Sequence, residues 1–196
     1  MPEYYVNLAE VSKYKVIVTT NMMTGLLRLV IKFDYVIVDE AGHASEPETL
    51  MALNLCKQDG CSVLAGDPKQ LGPVIKCPQA NRLGLGISLL TRLRETVQCY
   101  KQKHRQDSSS FDERYITKLL VCYRSDPRVM QVCNEMFYNN ELVCKGETPP
   151  DLLRSLGVKH PSLFIDAHGE EQRDRRFGSR CNPFEADVCV DQIFKL

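Results

Sequence analysis

Three apolar runs, each ending in polar or small residues, constrain the fold of this chain most strongly. They are YKVIVTT, FDYVIVDEAG and CSVLAGDPKQLGP, which begin at residues 14, 33 and 61. Continuous apolar runs are typical of parallel strands covered on both faces, and each run delivers its polar residues at its carboxyl end. The sequence therefore predicts an α/β fold with a parallel sheet, whose strand tips converge on one edge.

A helix is predicted between the second and third runs. Ser45 and Glu48 have the spacing of a capping box, and Pro47 lies in the first turn. Asp39 and Asp67, which end successive runs, are separated by nearly the ~30 residues of a βαβ unit. This part of the chain is therefore expected to form one such unit.

A polar stretch at residues 98–114, with a serine run, predicts a linker or surface loop between two domains. The domains would span residues 1–97 and 115–196. In the second, ITKLLVCYRS and SLFIDA (residues 162–167) read as strands. Helices are expected to begin after Asp126 and Asn182, because each is a good N-cap and is followed by proline.

Composition excludes several classes of protein. The 25 basic and 25 acidic residues give zero net charge, so any nucleic acid must be held by a local patch. The nine cysteines are odd in number and form no CxxC pair, so we expect reduced core thiols, among them Cys56, Cys61, Cys122, Cys133 and Cys189. No signal peptide and no apolar run of ~18 residues is present, which predicts a soluble cytosolic or nuclear protein.

Asp39 and Glu40 form an acidic pair at a predicted strand tip. Such a pair suits metal-assisted hydrolysis of a nucleoside triphosphate, because one carboxylate can hold Mg²⁺ and the other can accept the proton of the attacking water. An isolated pair of this kind also fits a solvated turn or a helix cap. A Mg²⁺-dependent phosphatase or nuclease remains an alternative, although it leaves Gln70 and Arg124 unexplained.

Two further side chains strengthen the nucleotide hypothesis. Gln70, in the loop GDPKQLGP, offers an amide that can contact a terminal phosphate and orient water. Arg124 follows the first strand of the second domain and could serve as an arginine finger. An ion pair between Arg124 and Asp126, or a capping contact, would explain the arginine equally well.

Six sequence motifs of this chain, taken in order, resemble those of the superfamily 1 RNA helicases of the Upf-like group, and most of all those of the Armitage branch and its Moloney-virus-resistance relatives. The resemblance covers nearly the whole chain and is carried by VIVDEAGHASEPE, VLAGDPKQLGPVI, NRLGLGISLLTRL, YITKLLVCYRSDP, FYNNEL and NPFEA. It implies two RecA-like domains of the P-loop NTPase type, represented by the back half of the first and the front half of the second. ATP and Mg²⁺ would bind between the domains, and single-stranded RNA would cross both during 5′-to-3′ translocation.

The resemblance also implies roles for single residues. Asp39 and Glu40 become the metal-binding and base pair of motif II, with Asp39 holding Mg²⁺ through water. Gln70 becomes the phosphate sensor of motif III, Arg124 the finger of motif IV, and Tyr123 a neighbour of the adenine. Contacts with RNA are implied for Thr20, at the end of the first predicted strand, and for Pro73.

The chain departs from the family pattern in three ways. His43 and Asp126 stand where many relatives have glutamine and histidine, and we expect His43 to pack or hydrogen-bond rather than bind metal. No GxxxxGK[ST] phosphate loop occurs. We therefore expect an internal fragment or truncated product that is inactive alone and poorly soluble, or else a non-catalytic module that binds RNA or protein.

Protein partners follow only from the resemblance, which implies silencing-complex proteins and a cytoplasmic location that can include ribonucleoprotein granules. No zinc is expected, and the lack of a long apolar run predicts no membrane span. The arginine-bearing loop at residues 168–181 could bind RNA, but its acidic residues favour a solvated, balanced surface.

Overall fold

The structure is a computed structural model that describes residues 8–27, 31–101, 111–155, 157–173 and 178–195. The chain divides into two compact units, Met1–Thr117 and Lys118–Leu196. The boundaries of the two RecA-like halves stay a prediction.

The described residues of the first unit form one two-stranded sheet and several helices. Its elements are α1 (Leu8–Val11), α2 (Asn21–Leu27), β1 (Phe33–Val38), α3 (Glu46–Leu53), β2 (Cys56–Leu64), α4 (Pro78–Arg82), α5 (Leu89–Thr96) and a 3₁₀ turn (Gln98–Tyr100). Strands β1 and β2 are parallel and are joined through α3, so this stretch is the predicted βαβ unit.

The core of the first unit lies where α3 packs on β1. Val38, Ala41 and Ala52 are buried together, with Leu64 and Leu90 packed against them. The capping box begins α3 as predicted, because the Ser45 N–H and hydroxyl both donate to Glu48 Oε2, at 2.8 and 2.7 Å. The hydrogen bonds from Ser45 hold the pKa of Glu48 below its usual range.

Within its described part, the second unit forms two small sheets. Its elements are β3 (Val121–Cys122), α6 (Pro127–Phe137), β4 (Val143–Cys144), α7 (Pro150–Ser155), β5 (Gln172–Arg173), β6 (Arg180–Cys181) and α8 (Pro183–Ile193). Strands β3 and β4 pair in parallel, and β5 and β6 pair antiparallel. As predicted, Asp126 caps α6 by accepting the Arg128 N–H at 2.9 Å, and Asn182 caps α8.

Two predicted strands are wrong. Residues 16–18 are not part of any strand, and Val16 and Val18 are exposed. Residues 162–167 likewise form no strand, and Phe164 is 89% exposed. An apolar run becomes a strand only when a neighbouring strand satisfies its backbone groups, and no described residue pairs with either segment.

The prediction that the strands are covered on both faces is also wrong. Tyr35 and Ile37 of β1 are 74% and 70% exposed, whereas Val38, on the opposite face, is buried. Because α3 packs on one face of the β1–β2 pair, the described residues bury one face of the sheet only. The alternating burial that results is typical of a half-covered sheet.

All nine cysteines are free thiols, as expected, but most do not belong to the core. Cys61, Cys133 and Cys189 are exposed, and Cys56 and Cys122 are half-buried. Apolar neighbours in sequence therefore gave a wrong prediction of their burial. Within the described ranges, no helix is long and apolar enough to cross a bilayer.

Candidate active site

The two acidic residues and the glutamine lie on loops that follow neighbouring strands. Val38 at the end of β1 is in register with Leu64 at the end of β2. Beyond the strands the backbones stay joined, because Ala65 N–H donates to Val38 O at 2.9 Å and Ala41 N–H donates to Ala65 O at 2.8 Å. We call this junction of residues 38–42 with residues 64–67 the seam.

Two glycines allow the seam to close. A Cβ added to Gly42 would lie 2.9 Å from the carbonyl oxygen of Asp67, and one added to Gly66 would lie 2.9 Å from the nitrogens of Ala41 and Gly42. Real Cβ atoms do not approach backbone atoms this closely. The glycines are therefore required by the contact between the loops, and the contact brings the acidic pair and the GDPKQLGP loop to one sheet edge.

Asp39 and Glu40 are both exposed at this edge. Asp39 Oδ1 accepts the backbone N–H of Glu40 at 3.0 Å. Glu40 has φ 51°, a left-handed conformation that is uncommon for a residue with a side chain. The turn continues as His43 N–H donates to Glu40 O at 2.9 Å.

Asp67 organises the loop that carries Gln70. Its Oδ1 accepts the backbone N–H of Lys69 at 2.8 Å, and its Oδ2 accepts the side-chain amide of Gln70 at 3.1 Å. Sequence reasoning gave Asp67 no role beyond ending the strand. The signal was present, however, because an aspartate side chain commonly accepts the backbone N–H of the residue two positions later and so forms a turn of this kind.

An open cleft of about 530 Å³ adjoins this loop. His43, Lys69, Gln70, Leu71 and Gly72 line it. His43 is exposed there rather than packed in the core. Asp39 and Glu40 are not among the lining residues, so the seam, and not a shared cavity, relates them to Gln70.

The two side chains for which the resemblance implies RNA contacts lie elsewhere in the first unit. Thr20 does not end a strand; its Oγ1 accepts the Met23 N–H at 3.4 Å at the start of α2. Pro73 is half-buried in the segment that follows the cleft. Their roles in RNA binding stay predictions.

Tyr123 and Arg124 belong to the second unit, and both are exposed after β3. Arg124 makes no ion pair with any described residue. Asp126 pairs instead with the Arg128 side chain, whose Nη2 donates to Oδ2 at 2.9 Å and whose Nε donates to Oδ1 at 3.0 Å. The Arg128 guanidinium holds the pKa of Asp126 well below its usual range. The alternative in which Asp126 engages Arg124 is therefore wrong, whereas the approach of Arg124 to Asp39 and Gln70 stays a prediction.

The predicted arginine loop lies partly outside the described residues, since residues 174–177 carry two of its arginines. Within the described part, Arg180 binds Glu171 at 2.8 Å, and Arg173 Nε donates to Gly178 O at 3.4 Å. The ion pair of Arg180 with Glu171 agrees with a surface on which basic and acidic charges balance locally.

Sequence comparison identifies the family. The AAA domain pattern matches residues 7–78, and a second AAA domain pattern matches residues 87–196, more than half of the chain. The chain belongs to the AAA domain family. Its fold is accordingly an α/β fold of the P-loop NTPase, RecA-like type, of which the described residues show two small parallel sheets.

Relatives of this AAA chain include mov-10-B.1 of Danio rerio, 39% identical over 196 residues that cover 93% of this chain and 19% of the relative. RNA helicase Mov10l1 of Homo sapiens is 37% identical over 191 residues, which cover 89% of this chain and 15% of the relative. The armi protein of Drosophila melanogaster is 38% identical over 194 residues, which cover 82% of this chain and 16% of the relative. The chain thus spans about a fifth of the length of these relatives or less. They confirm the resemblance to the RNA helicases of the Armitage branch.

Proposed function

We propose that this chain is part of an ATP-dependent RNA helicase, made of the back half of one RecA-like domain and the front half of a second. The seam is the observation that carries the proposal. It joins the turn of Asp39 and Glu40 to the loop of Gln70, as hydrolysis at a strand-tip edge requires. Family membership and the RNA helicase Mov10l1 support the same activity.

Asp39 fits the role of a Mg²⁺ ligand that acts through water. One of its carboxylate oxygens is used by the Glu40 N–H, which fixes the side chain, and the group remains exposed to solvent. Mg²⁺ prefers one or two carboxylates together with waters and substrate phosphates. When bound, the ion would neutralise charge on the ATP phosphates.

The remaining groups divide the chemistry among them. Glu40 accepts the proton of the attacking water on its carboxylate. Gln70, steadied by Asp67, orients that water and contacts the terminal phosphate. Arg124, which pairs with no described carboxylate, supplies its charge to the phosphoryl group as it transfers.

The 196-residue chain alone should hydrolyse ATP no faster than background. Its sequence contains no phosphate loop, so backbone amides and a lysine that cradle the β and γ phosphates are missing. ATP turnover by the isolated chain that disappears in E40Q would contradict this part of the proposal.

A chimera tests the helicase proposal itself. In it, this chain replaces the matching segment of RNA helicase Mov10l1, and RNA-stimulated ATP hydrolysis and strand separation are measured. We expect activity that falls about 10²- to 10⁴-fold in E40Q and about 10³-fold or more in R124K. The matched control is E95Q, because Glu95 is an exposed glutamate on α5 outside the site.

Two outcomes would overturn the proposal. One is a chimera that unfolds at the same temperature as Mov10l1 and binds RNA but does not hydrolyse ATP, which would favour a non-catalytic binding module. The other is equal activity of the E40Q and E95Q chimeras.

The finer biological role is also proposed, on the resemblance alone. Single-stranded RNA would be the substrate, silencing-complex proteins would be the partners, and the protein would be cytoplasmic, with a share in ribonucleoprotein granules. Imaging of the tagged protein, together with sequencing of RNA crosslinked to it, tests these points. A nuclear signal, or no enrichment of RNA over a tag-only control, would contradict them.

A further inference from the structure

Cys122 and Cys144 lie directly opposite each other in the parallel pair of β3 and β4. Neighbouring strands are about 4.8 Å apart, and disulfides join residues whose Cα atoms are about 4.4–6.8 Å apart. Residues in register point to the same face of a sheet. The backbone therefore already holds these two half-buried thiols at a separation that a disulfide can bridge.

The two sulfurs have unequal surroundings. The nearby backbone N–H groups of Ser125 and Arg124 lower the pKa of the Cys122 thiol, with the Ser125 N–H as the largest cause. Burial, followed by the nearby sulfur of Cys122, raises the pKa of Cys144. One thiol is thus suited to react first and the other to follow it.

Backbone contacts keep the pair together. Lys145 N–H donates to Cys122 O at 2.7 Å, directly after β4. A Cβ added to Gly146 would lie 2.6 Å from the carbonyl carbon of Ser125, so the two backbones are already in close contact. The turn that carries Tyr123 and Arg124 is therefore fixed between the two cysteines and the segment after β4.

We propose that Cys122 and Cys144 are a peroxide-reactive thiol pair that closes to an intramolecular disulfide beside Arg124. In the first step the Cys122 thiolate attacks a peroxide oxygen; the S–O bond forms, the O–O bond breaks, and hydroxide leaves. In the second step the Cys144 sulfur attacks the Cys122 sulfur; the S–S bond forms, the S–O bond breaks, and the hydroxyl group of the sulfenic acid leaves with the Cys144 thiol proton as water. The thiols lose two electrons, and the peroxide gains them.

Closing the disulfide changes the charge and the position of the Cys122 sulfur, two residues before Arg124. We expect the turn that presents Arg124 to readjust when the disulfide forms. This consequence for activity rests on the proposed function, since it matters only if Arg124 serves hydrolysis. The thiol chemistry itself does not depend on that function.

Peptide mapping of the peroxide-treated full chain tests the proposal. After treatment the remaining thiols are blocked, and the chain is cut after lysine, arginine and glutamate. Cys122 is then carried by LLVCYR (residues 119–124) and Cys144 by LVCK (residues 142–145). We expect the disulfide between these two peptides to be the dominant product in the monomer fraction. Recovery of other cysteine pairs in equal or greater amount would overturn the proposal.

Two single variants separate the roles of the cysteines. C144A should stop the reaction at the sulfenic acid of Cys122, which dimedone captures. C133S is the matched control, because Cys133 is an exposed thiol on α6 and should not contribute. The proposal fails if dimedone labels Cys122 of C144A no more than the exposed Cys99, or if C133S lowers the yield of the disulfide as much as C144A does.

Discussion

Replacing Gly42 by alanine tests the seam, on which the site assignment depends. The new methyl carbon would lie 2.9 Å from the Asp67 carbonyl oxygen, with the Asp67 carbonyl carbon at 3.5 Å. Both loops are backbone at this point, so neither side can rotate away. They must separate by several tenths of an ångström, which strains the Ala41–Ala65 hydrogen bond next to them. Overpacking of this kind costs about 1–3 kcal/mol.

The matched control is the same substitution at Gly25, in α2. There the nearest atom to a new Cβ is Met51 Sδ at 4.0 Å, an ordinary contact. Alanine in a helix interior is favoured over glycine by roughly 0.5–1 kcal/mol, so G25A should stabilise the first unit while G42A destabilises it. The same methyl group is thus expected to act with opposite sign at the two positions.

Urea unfolding and amide hydrogen exchange at Ala41 and Ala65, both measured in the Mov10l1 chimera, report the effect. We expect the G42A chimera to unfold at a lower urea concentration and both seam amides to exchange faster. If G42A is as stable as the unsubstituted chain, and the Ala41 amide exchanges at the same rate, the loops are not packed as described. The placement of Gln70 beside the acidic pair would then fail as well.

Three further predictions concern stability. The Arg92 guanidinium binds Glu46 at 2.6 and 2.8 Å and lowers the pKa of Glu46 from 4.5. The stability that this contact contributes is therefore present above pH 4.5 and is lost as the pH falls through the lower pKa of the folded state. Unfolding across that pH range should depend less on pH in E46Q. D126A should speed amide exchange at Arg128 and Thr148, which both donate to Asp126, whereas D126N should keep the cap. The isolated chain should aggregate, because many large apolar side chains are exposed; a sharp, reversible thermal transition of a monomer would contradict this.

Local signals in the sequence predicted α3, α6 and α8. The capping box of Ser45 and Glu48 and the Asp126–Pro127 start of α6 each require only neighbours within a few residues. Strands depend instead on partners far along the chain. Residues 16–18 and 162–167 therefore read as strands by composition but form none, since no described strand pairs with them.

The candidate site could be predicted in part, because it depends on two strands that are close together in the sequence. Parallel strands that follow one another place their ends on one edge, so the meeting of the Asp39 turn with the Gln70 loop followed from the pattern alone. The turn from Asp67 to the Lys69 N–H has a local sequence signal, but the contact of the second Asp67 oxygen with the Gln70 amide is seen only in the folded loop. The partner of Asp126 was also decided by geometry, because Arg128 offers two donors to it at once.

The backbone of Glu40 argues that the acidic pair is more than a solvated turn. A left-handed conformation at a residue with a side chain costs about 1 kcal/mol or more, and glycine would avoid that cost. The surrounding bonds hold Glu40 there, because the adjacent amide of Ala41 is tied to Ala65 and the carbonyl of Glu40 to the His43 N–H. A turn with no use for a carboxylate gains nothing from glutamate at this position. We propose that this strain serves chemistry that needs the carboxylate itself, beside Asp39 and on the same edge as Gln70.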